Sequence, residues 1–158
     1  MRAVIQRVLE ASVSVVSEAD RHEPIDEMVG SIESGLLVYV GIGQDDETDD
    51  VNAMATKIRH LRIFHDDAGK MNLDVMEAGG AVLVISNFTL LGDARKGRRP
   101  AFTAAAPPDR ANELYRQLCE QLRASGLEVQ TGRFRHTMAV RATNDGPINI
   151  LIDTKRQF

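Results

Sequence analysis

Apolar and polar residues alternate along residues 4–16, where Ser12 and Ser14 stand between apolar neighbours. This period-2 pattern predicts a strand with one buried face. Residues 29–32 and the longer apolar stretch of residues 36–42 predict two further strands, joined by a turn at Ser34-Gly35. The polar segment of residues 17–28 is predicted to be a long loop between strands.

Two segments instead follow the period of a helix. An acidic run at residues 45–50 precedes apolar residues spaced three and four apart up to Leu61, as in a helix whose first turn is acidic. A second such pattern begins after Pro108, with Asp109 predicted as its N-cap and Ser125-Gly126 as its end.

Residues 81–90 are the most informative stretch. The continuous apolar run of residues 82–85 is typical of a strand covered on both faces. Polar residues then follow abruptly as Ser86, Asn87 and Thr89. A rigid strand end is a good support for chemistry. Hydroxyl groups also satisfy backbone groups at strand ends, so this stretch alone leaves both interpretations open.

The last third of the chain predicts a short strand at residues 128–131, a connector at residues 133–136 and a strand at residues 137–143. Asn144-Asp145-Gly146-Pro147 then predicts a plain turn before a final strand in which isoleucines alternate. A cis Gly-Pro bond is the less frequent alternative, since only about 5–6% of X-Pro bonds are cis. We therefore expect one α+β domain over residues 1–158. Its largely antiparallel sheet would be curled towards a barrel and flanked by two main helices.

Charge and composition narrow the function. The net charge is -4 and only 4% of residues are aromatic, with no Trp, so a broad basic face and a stacking platform for nucleic acid are not expected. The irregular segment of residues 92–108 is the exception, because it carries four cations, Arg95, Lys96, Arg98 and Arg99. It is either a contact for a phosphodiester backbone or a solvated loop. A P-loop is excluded, since Arg98-Arg99 stands where Lys-Ser/Thr is required.

Other chemistries find little support. Cys119 is the single cysteine, which excludes an intrachain disulfide, and its helical position predicts a buried small hydrophobe. His60 and His65 are five residues apart and do not share a helical face, so we expect no metal and no cofactor. The start of the chain has no signal-peptide character, and no apolar run spans a bilayer. A cytoplasmic protein without a membrane partner is therefore expected.

A binding site without a strong base remains. Ser86, Thr89, the amides of Asn87 and Asn144 and the backbone N–H groups around Phe88 could orient a polar ester and stabilise an oxyanion. No Gly-x-Ser-x-Gly or Cys-His pair is present. His136 has no acidic or hydroxyl partner in the sequence, which argues against a role for it.

Several motifs occur in an order that resembles the D-aminoacyl-tRNA deacylases, over nearly the whole chain. They are Met1-Arg2-Ala3-Val4-Ile5-Gln6-Arg7-Val8, Lys70-Met71-Asn72-Leu73, Ser86-Asn87-Phe88-Thr89-Leu90, Arg95-Lys96-Gly97-Arg98-Arg99-Pro100, Ala105-Ala106-Pro107-Pro108 and Asn144-Asp145-Gly146-Pro147.

This resemblance implies a homodimer that hydrolyses the ester of D-aminoacyl-tRNA, a proofreading activity, with the active site at the subunit interface. It implies a catalytic strand end at Ser86, Phe88 and Thr89, with Asn87 and Leu90 beside the substrate. Mechanistically, it implies either a Thr89 nucleophile or, in better agreement with the missing base, assistance by the ribose 2′-hydroxyl.

The resemblance also implies that a cis Gly146-Pro147 motif reaches in from the partner and rejects L-residues, near Arg7 and Asn144. Because no side chain would read the amino acid, achiral glycine on tRNA-Ala could also enter. In this arrangement the backbone carbonyl groups would form a steric and hydrogen-bonding wall that excludes the L-enantiomer.

Three positions depart from the usual pattern of these enzymes, and so does the length of the loop at residues 17–28. Asn87 stands for the usual Gln, Asn149 for Thr, and Arg135-His136 for Gly-Ala. Two alternatives therefore stay open: a deacylase of the related branch that acts on L-alanyl-tRNA, and a non-catalytic RNA- or protein-binding module that uses the basic loop.

Overall fold

The computed structural model describes residues 1–16 and 24–157. Along the chain the elements are β1 (Arg2–Val16), β2 (Pro24–Ile32), β3 (Gly35–Gly41), α1 (Thr48–His60), β4 (Phe64–His65), β5 (Met71–Leu73), β6 (Ala81–Ser86), a 3₁₀ turn (Phe88–Leu91), α2 (Pro108–Ala124), β7 (Val129–Thr131) and β8 (Met138–Asp153).

The long strand β1 organises the main sheet. Its first half pairs with β3 and its second half with β2, while its other edge pairs with β8 along nearly its whole length, all antiparallel. β3, β6 and β7 are parallel, because α1 and α2 lie in the crossovers between them. The predicted α+β class is confirmed, with a parallel half beside the antiparallel one.

The sheet curls until its two ends approach each other. A Cβ placed on Gly30 of β2 would lie 2.9 Å from the Thr131 carbonyl oxygen of β7, a separation that requires glycine there. The inside of the curl is filled by alternate residues such as Val13, Leu37 and Leu83. The sheet is therefore nearly closed, as expected.

The outside of the curl packs on both helices. Val38 and Val84 belong to a cluster that includes Met54 of α1 and Leu118 of α2. Residues 82–84 are fully buried, which confirms that β6 is covered on both faces. Burying such a side chain contributes roughly 1.5–3 kcal/mol, so β6 is a stiff support for the residues that follow it.

The start of α2 differs from the prediction. Pro107 is the N-cap and Pro108 the first helical residue, so Asp109 lies in the first turn and is not the cap. Proline suits the first helical position because the N–H that it lacks would have no intrahelical partner there. The acidic start of α1 is confirmed: Asp49 and Asp50 are in its first turn.

The predicted loop at residues 17–28 is wrong in its second part. β2 already begins at Pro24 and pairs with β1, with Met28 opposite Ser14. Pairing with a neighbouring strand overrides the polar local composition. Residues 17–23 lie outside the described part of the chain.

The predicted turn at residues 144–147 is also wrong, because β8 is one continuous strand. Its register against β1 passes from Gln6↔Asn149 to Val8↔Asn144. Four residues of β8, 145–148, therefore lie opposite one residue of β1. The extra residues protrude from the ladder as a tip, and the Gly146–Pro147 peptide bond within it is cis.

Candidate active site

A cavity of about 600 Å³ opens where β6 ends. This volume is within the range of small-molecule sites. The lining is mainly apolar, with a few polar groups at the strand end and an arginine and a histidine from the connector before β8. It consists of Tyr39, Ile42, Ile85, Ser86, Asn87, Phe88, Ala105, Ala106, Pro108, Ala111, Phe134, Arg135, His136, Thr137, Met138 and Val140.

Buried hydrogen bonds fix the strand end. The Tyr115 hydroxyl donates to the Val84 carbonyl oxygen at 2.8 Å, and the Asn87 N–H donates to the Val40 carbonyl oxygen at 2.8 Å. Burial raises the pKa of Tyr115, which keeps it protonated as a donor. Ser86 and Asn87 therefore leave the sheet from a defined position.

Asn87 and Thr89 form one hydrogen-bonded unit. Asn87 Oδ1 accepts from the Thr89 N–H at 3.1 Å and from Thr89 Oγ1 at 2.5 Å. A neutral amide oxygen cannot take up the hydroxyl proton, so this contact orients Thr89 without activating it as a nucleophile.

The Phe88 N–H makes no hydrogen bond within the described residues. This agrees with the unpaired N–H groups at the start of a helical turn. Leu90 is half-buried beside it, and its carbonyl oxygen accepts from Arg2 Nη1 at 3.3 Å. The predicted strand-end residues are thus brought together, although only Ser86, Asn87 and Phe88 line the cavity.

The tip of β8 is held from its base. Arg7 is only 4% exposed, and its Nε lies 2.7 Å from Asp145 Oδ2 in an ion pair that is not a linear hydrogen bond. Asn144 Nδ2 donates to the carbonyl oxygens of Arg7 at 2.8 Å and Ile148 at 3.2 Å. Asn149 accepts from Gln6 at 2.8 Å. These contacts make the tip a rigid projection.

Gly146 is required at this tip. Its φ is 120°, and a Cβ there would lie 2.9 Å from the Ile148 backbone nitrogen. Neither Gly146 nor Pro147 lines the cavity of its own chain, and the same holds for Arg7 and Asn144. The structure therefore separates the predicted substrate residues into a strand-end group and a tip group.

The basic loop is connected to the strand end. Asp93 and Ala101 close its base with two backbone hydrogen bonds of 2.7 and 2.9 Å, and Phe102 packs edge-to-face on Phe88 at 5.1 Å. Arg95 donates to Asp93 at 2.6 and 2.8 Å and lowers the pKa of that carboxyl. Lys96, Arg98 and Arg99 are exposed and unpaired within the described residues.

One wall of the cavity, formed by Arg135, His136 and their neighbours, was not predicted to belong to the site. His136 Nδ1 lies 2.9 Å from the Phe134 carbonyl oxygen, and Arg135 has a φ of 61°. The local signals were the basic run at residues 133–136 and the departure of Arg135-His136 from the usual Gly-Ala. Contact between that connector and β6 is a property of the curled sheet.

Among the described residues, no three His, Cys, Asp or Glu side chains are grouped so that they could hold a metal ion. Cys119 is buried, as predicted, and burial raises the pKa of its thiol to about 11. No helix in this part of the chain is long and apolar enough to cross a membrane.

Solved structures share this architecture. A chain described as c-Myc DNA Unwinding Element Binding Protein is 35% identical with a TM-score of 0.86, covering 98% of this chain and 99% of that one. A probable eukaryotic D-amino acid tRNA deacylase is 17% identical with a TM-score of 0.77, covering 96% and 97%. At that identity the second likeness concerns the fold alone.

The family follows from the sequence comparisons. The model for D-Tyr-tRNA(Tyr) deacylase matches residues 4–153. Curated proteins named D-aminoacyl-tRNA deacylase from Thermotoga petrophila and Anaeromyxobacter dehalogenans are 51% and 52% identical, each over 100% of both chains. The chain belongs to the D-Tyr-tRNA(Tyr) deacylase family, which confirms the resemblance found in its motifs.

Proposed function

We propose that this protein hydrolyses the ester bond of D-aminoacyl-tRNA and releases the D-amino acid and free tRNA. The observation that carries the proposal is full-length similarity to curated D-aminoacyl-tRNA deacylases, combined with a cavity at the polar strand end. The apolar lining suits a terminal nucleoside and its amino acid, and the polar groups at one end suit the ester.

In the proposed reaction a water oxygen attacks the ester carbonyl carbon, and the bond to the ribose oxygen breaks. The Phe88 N–H would donate to the oxyanion of the intermediate, and Thr89 Oγ1, oriented by Asn87, would accept a hydrogen bond from the substrate ammonium. Because Thr89 has no base beside it, we assign proton transfer to the neighbouring ribose 2′-hydroxyl. One proton of the water is transferred to the departing ribose oxygen. The other is released to solvent when the carboxylic acid of the amino acid ionises to the carboxylate.

Selection of the D-enantiomer would be made by a second copy of the chain. The Gly146-Pro147 tip does not line its own cavity, so its carbonyl groups are proposed to face the chiral centre in the partner's cavity. The β1–β8 ladder that carries the tip exposes Leu9 by 56% and Leu151 by 63%, which supports association at this face. Glycine, without a side chain, would pass this filter, including glycine on tRNA-Ala.

The tRNA backbone would contact the basic loop. Lys96, Arg98 and Arg99 are free to bind phosphates, and the Phe88–Phe102 contact places the loop next to the strand end. Arg95 is already paired with Asp93 and would contribute less.

The test is hydrolysis of D-tyrosyl-tRNA, L-tyrosyl-tRNA and L-alanyl-tRNA by the purified protein, with its oligomeric state measured in parallel. We expect turnover of the D-ester only, by a dimer. Turnover of L-alanyl-tRNA would instead place the protein in the related branch. Tight tRNA binding by the folded dimer without turnover of any ester would establish the binding-module alternative.

A further inference from the structure

The rim of the cavity has an unexplained charge. Arg135 is the cationic residue among those that line it, with His136 next to it, and no carboxylate of the described residues lines the cavity. Both side chains are exposed, so they lie at the open side and not in the apolar interior.

Neighbouring cations are already neutralised. Arg133, two residues away, is paired with Glu27 at 3.1 Å, and Arg110 of α2 donates to Glu47 at 2.8 Å and Glu113 at 2.9 Å. Arg135, in contrast, has no hydrogen bond or ion pair within the described residues. A guanidinium left unpaired beside a cavity is suited to an anionic group of the ligand.

Local backbone geometry fixes these residues in place. Arg135 has a φ of 61°, in the left-handed region, and the His136 N–H donates to the Arg133 carbonyl oxygen at 3.3 Å to close the turn. His136 Nδ1 lies 2.9 Å from the Phe134 carbonyl oxygen, so Nδ1–H donates to that oxygen and holds the ring against the turn. The turn therefore presents the Arg135 guanidinium at the rim.

We propose that Arg135 forms a phosphate subsite, which binds the phosphodiester that joins the terminal nucleoside to the rest of the RNA. This inference rests on the proposed function, since that function places a terminal nucleoside in the cavity. The apolar walls can accommodate the nucleoside and the strand end the ester, and neither offers a cation for the phosphate. A bidentate guanidinium contact supplies it.

The experiment compares ligands with and without that phosphate. Isothermal titration measures binding of adenosine and of the trinucleotide CCA without an amino acid to the full chain, and kinetics follow D-tyrosyl esters of both. Arg135→Gly is the suitable variant because glycine accepts the left-handed backbone. Arg135→Lys retains the charge, and Arg116→Ala removes an exposed cation of α2 that does not line the cavity.

We expect Arg135→Gly to weaken CCA binding and lower kcat/KM for the CCA ester by roughly fivefold to tenfold, as for one exposed charge-assisted contact. The adenosine ligands should be unaffected, Arg135→Lys should recover part of the loss, and Arg116→Ala should behave as wild type. The salt dependence of log Kd for CCA should fall by about 0.7 in Arg135→Gly, the value for one phosphate in a single strand.

Equal losses for adenosine and CCA, no loss for either, or an equal loss in Arg116→Ala would each overturn the subsite. The binding arm does not depend on catalysis. If the wild-type protein hydrolyses neither ester but binds CCA more tightly than adenosine, and Arg135→Gly removes that difference, the proposed function is contradicted and the phosphate subsite is retained.

Discussion

One oxygen of Asn87 controls Thr89: Oδ1 accepts both the Thr89 hydroxyl at 2.5 Å and the Thr89 N–H at 3.1 Å. The side chain of Asn87 is one methylene shorter than that of the usual Gln. An Asn side chain readily closes a turn with the backbone N–H two residues on, which favours this local contact. The hydroxyl proton is thereby directed at Asn87, and the Thr89 lone pairs remain for a donor on the substrate.

We therefore expect Asn87→Ala to lower kcat/KM for D-tyrosyl-tRNA about tenfold, because the freed hydroxyl must be ordered before it can accept from the substrate ammonium. Single-turnover kinetics measure this. Asn87→Asp retains the acceptor at the same position and should keep most of the activity. An Asp variant as slow as the Ala variant would contradict the positioning role.

Much of the strand end was readable from the sequence, for a physical reason. An uninterrupted apolar run at residues 82–85 requires cover on both faces, and the change to Ser86 and Asn87 marks the point where the chain leaves that cover. Both signals are local. The buried Tyr115 hydroxyl that fixes Val84 from α2 is a contact between distant segments and has no local signature.

The tip and the cavity wall depend on pairing that the sequence does not display. Asn144-Asp145-Gly146-Pro147 has the composition of a turn, and only the ladder with β1 on both sides of it makes it a protrusion from one strand. Arg135 and His136 likewise become cavity residues only because the connector between β7 and β8 lies beside the end of β6. Local patterns predict elements better than they predict which elements meet.

Gly146→Ala tests the tip. A φ of 120° and a Cβ 2.7 Å from Ile148 Cγ1 force the backbone to move, so the carbonyl groups should lose their position. We expect hydrolysis of D-tyrosyl-tRNA to fall at least tenfold, as for a misplaced substrate-positioning group. The discrimination against L-tyrosyl-tRNA should also decrease.

Gly69→Ala is the matched control for that variant. Gly69 also has a positive φ, of 73°, but a Cβ there meets nothing within 4 Å, so it imposes the backbone strain without the collision. The rates on both enantiomers should stay near those of wild type. Equal effects of the two substitutions would show that the tip geometry is not what selects the enantiomer.

Asp50 links stability to pH. Burial alone would raise the pKa of its carboxyl. Hydrogen bonds from Lys155, Thr154 and the Glu47 N–H, with the nearby N-terminal amine, lower it from the usual 3.8 to about 2. A depressed pKa contributes stability above the unfolded value that is lost as pH falls through the folded one. That shift corresponds to about 2 kcal/mol, lost between about pH 4 and pH 2.

Asp50→Asn should accordingly reduce the free energy of unfolding by about 2 kcal/mol at pH 7 and flatten its decline below pH 4. Urea unfolding followed by circular dichroism at several pH values measures both. Asp67→Asn, at an exposed carboxylate without a hydrogen bond among the described residues, should change neither. An unaltered pH profile in Asp50→Asn would show that other carboxylates govern acid unfolding.

The basic loop gives a prediction about salt. Lys96, Arg98 and Arg99 are unpaired within the described residues, whereas Arg95 is held by Asp93, so three cations and not four are available to phosphates. The combined variant Lys96→Ala/Arg98→Ala/Arg99→Ala should weaken tRNA binding and reduce the slope of log Kd against log salt by about 2, at about 0.7 per phosphate. Filter binding from 50 to 200 mM salt, about the range in which such contacts are usually resolved, measures it.

Lys57→Ala/Lys70→Ala/Arg116→Ala removes the same formal charge from exposed positions outside the loop and is the matched control. If the loop binds the RNA backbone, the control retains the wild-type slope, because a general change in net charge does not remove a phosphate contact. If both triple variants lose the same slope, the loop acts only through the overall field of the protein. If the loop variant retains the wild-type slope of log Kd against log salt, the loop makes no phosphate contacts and the RNA is bound by the cavity and its rim.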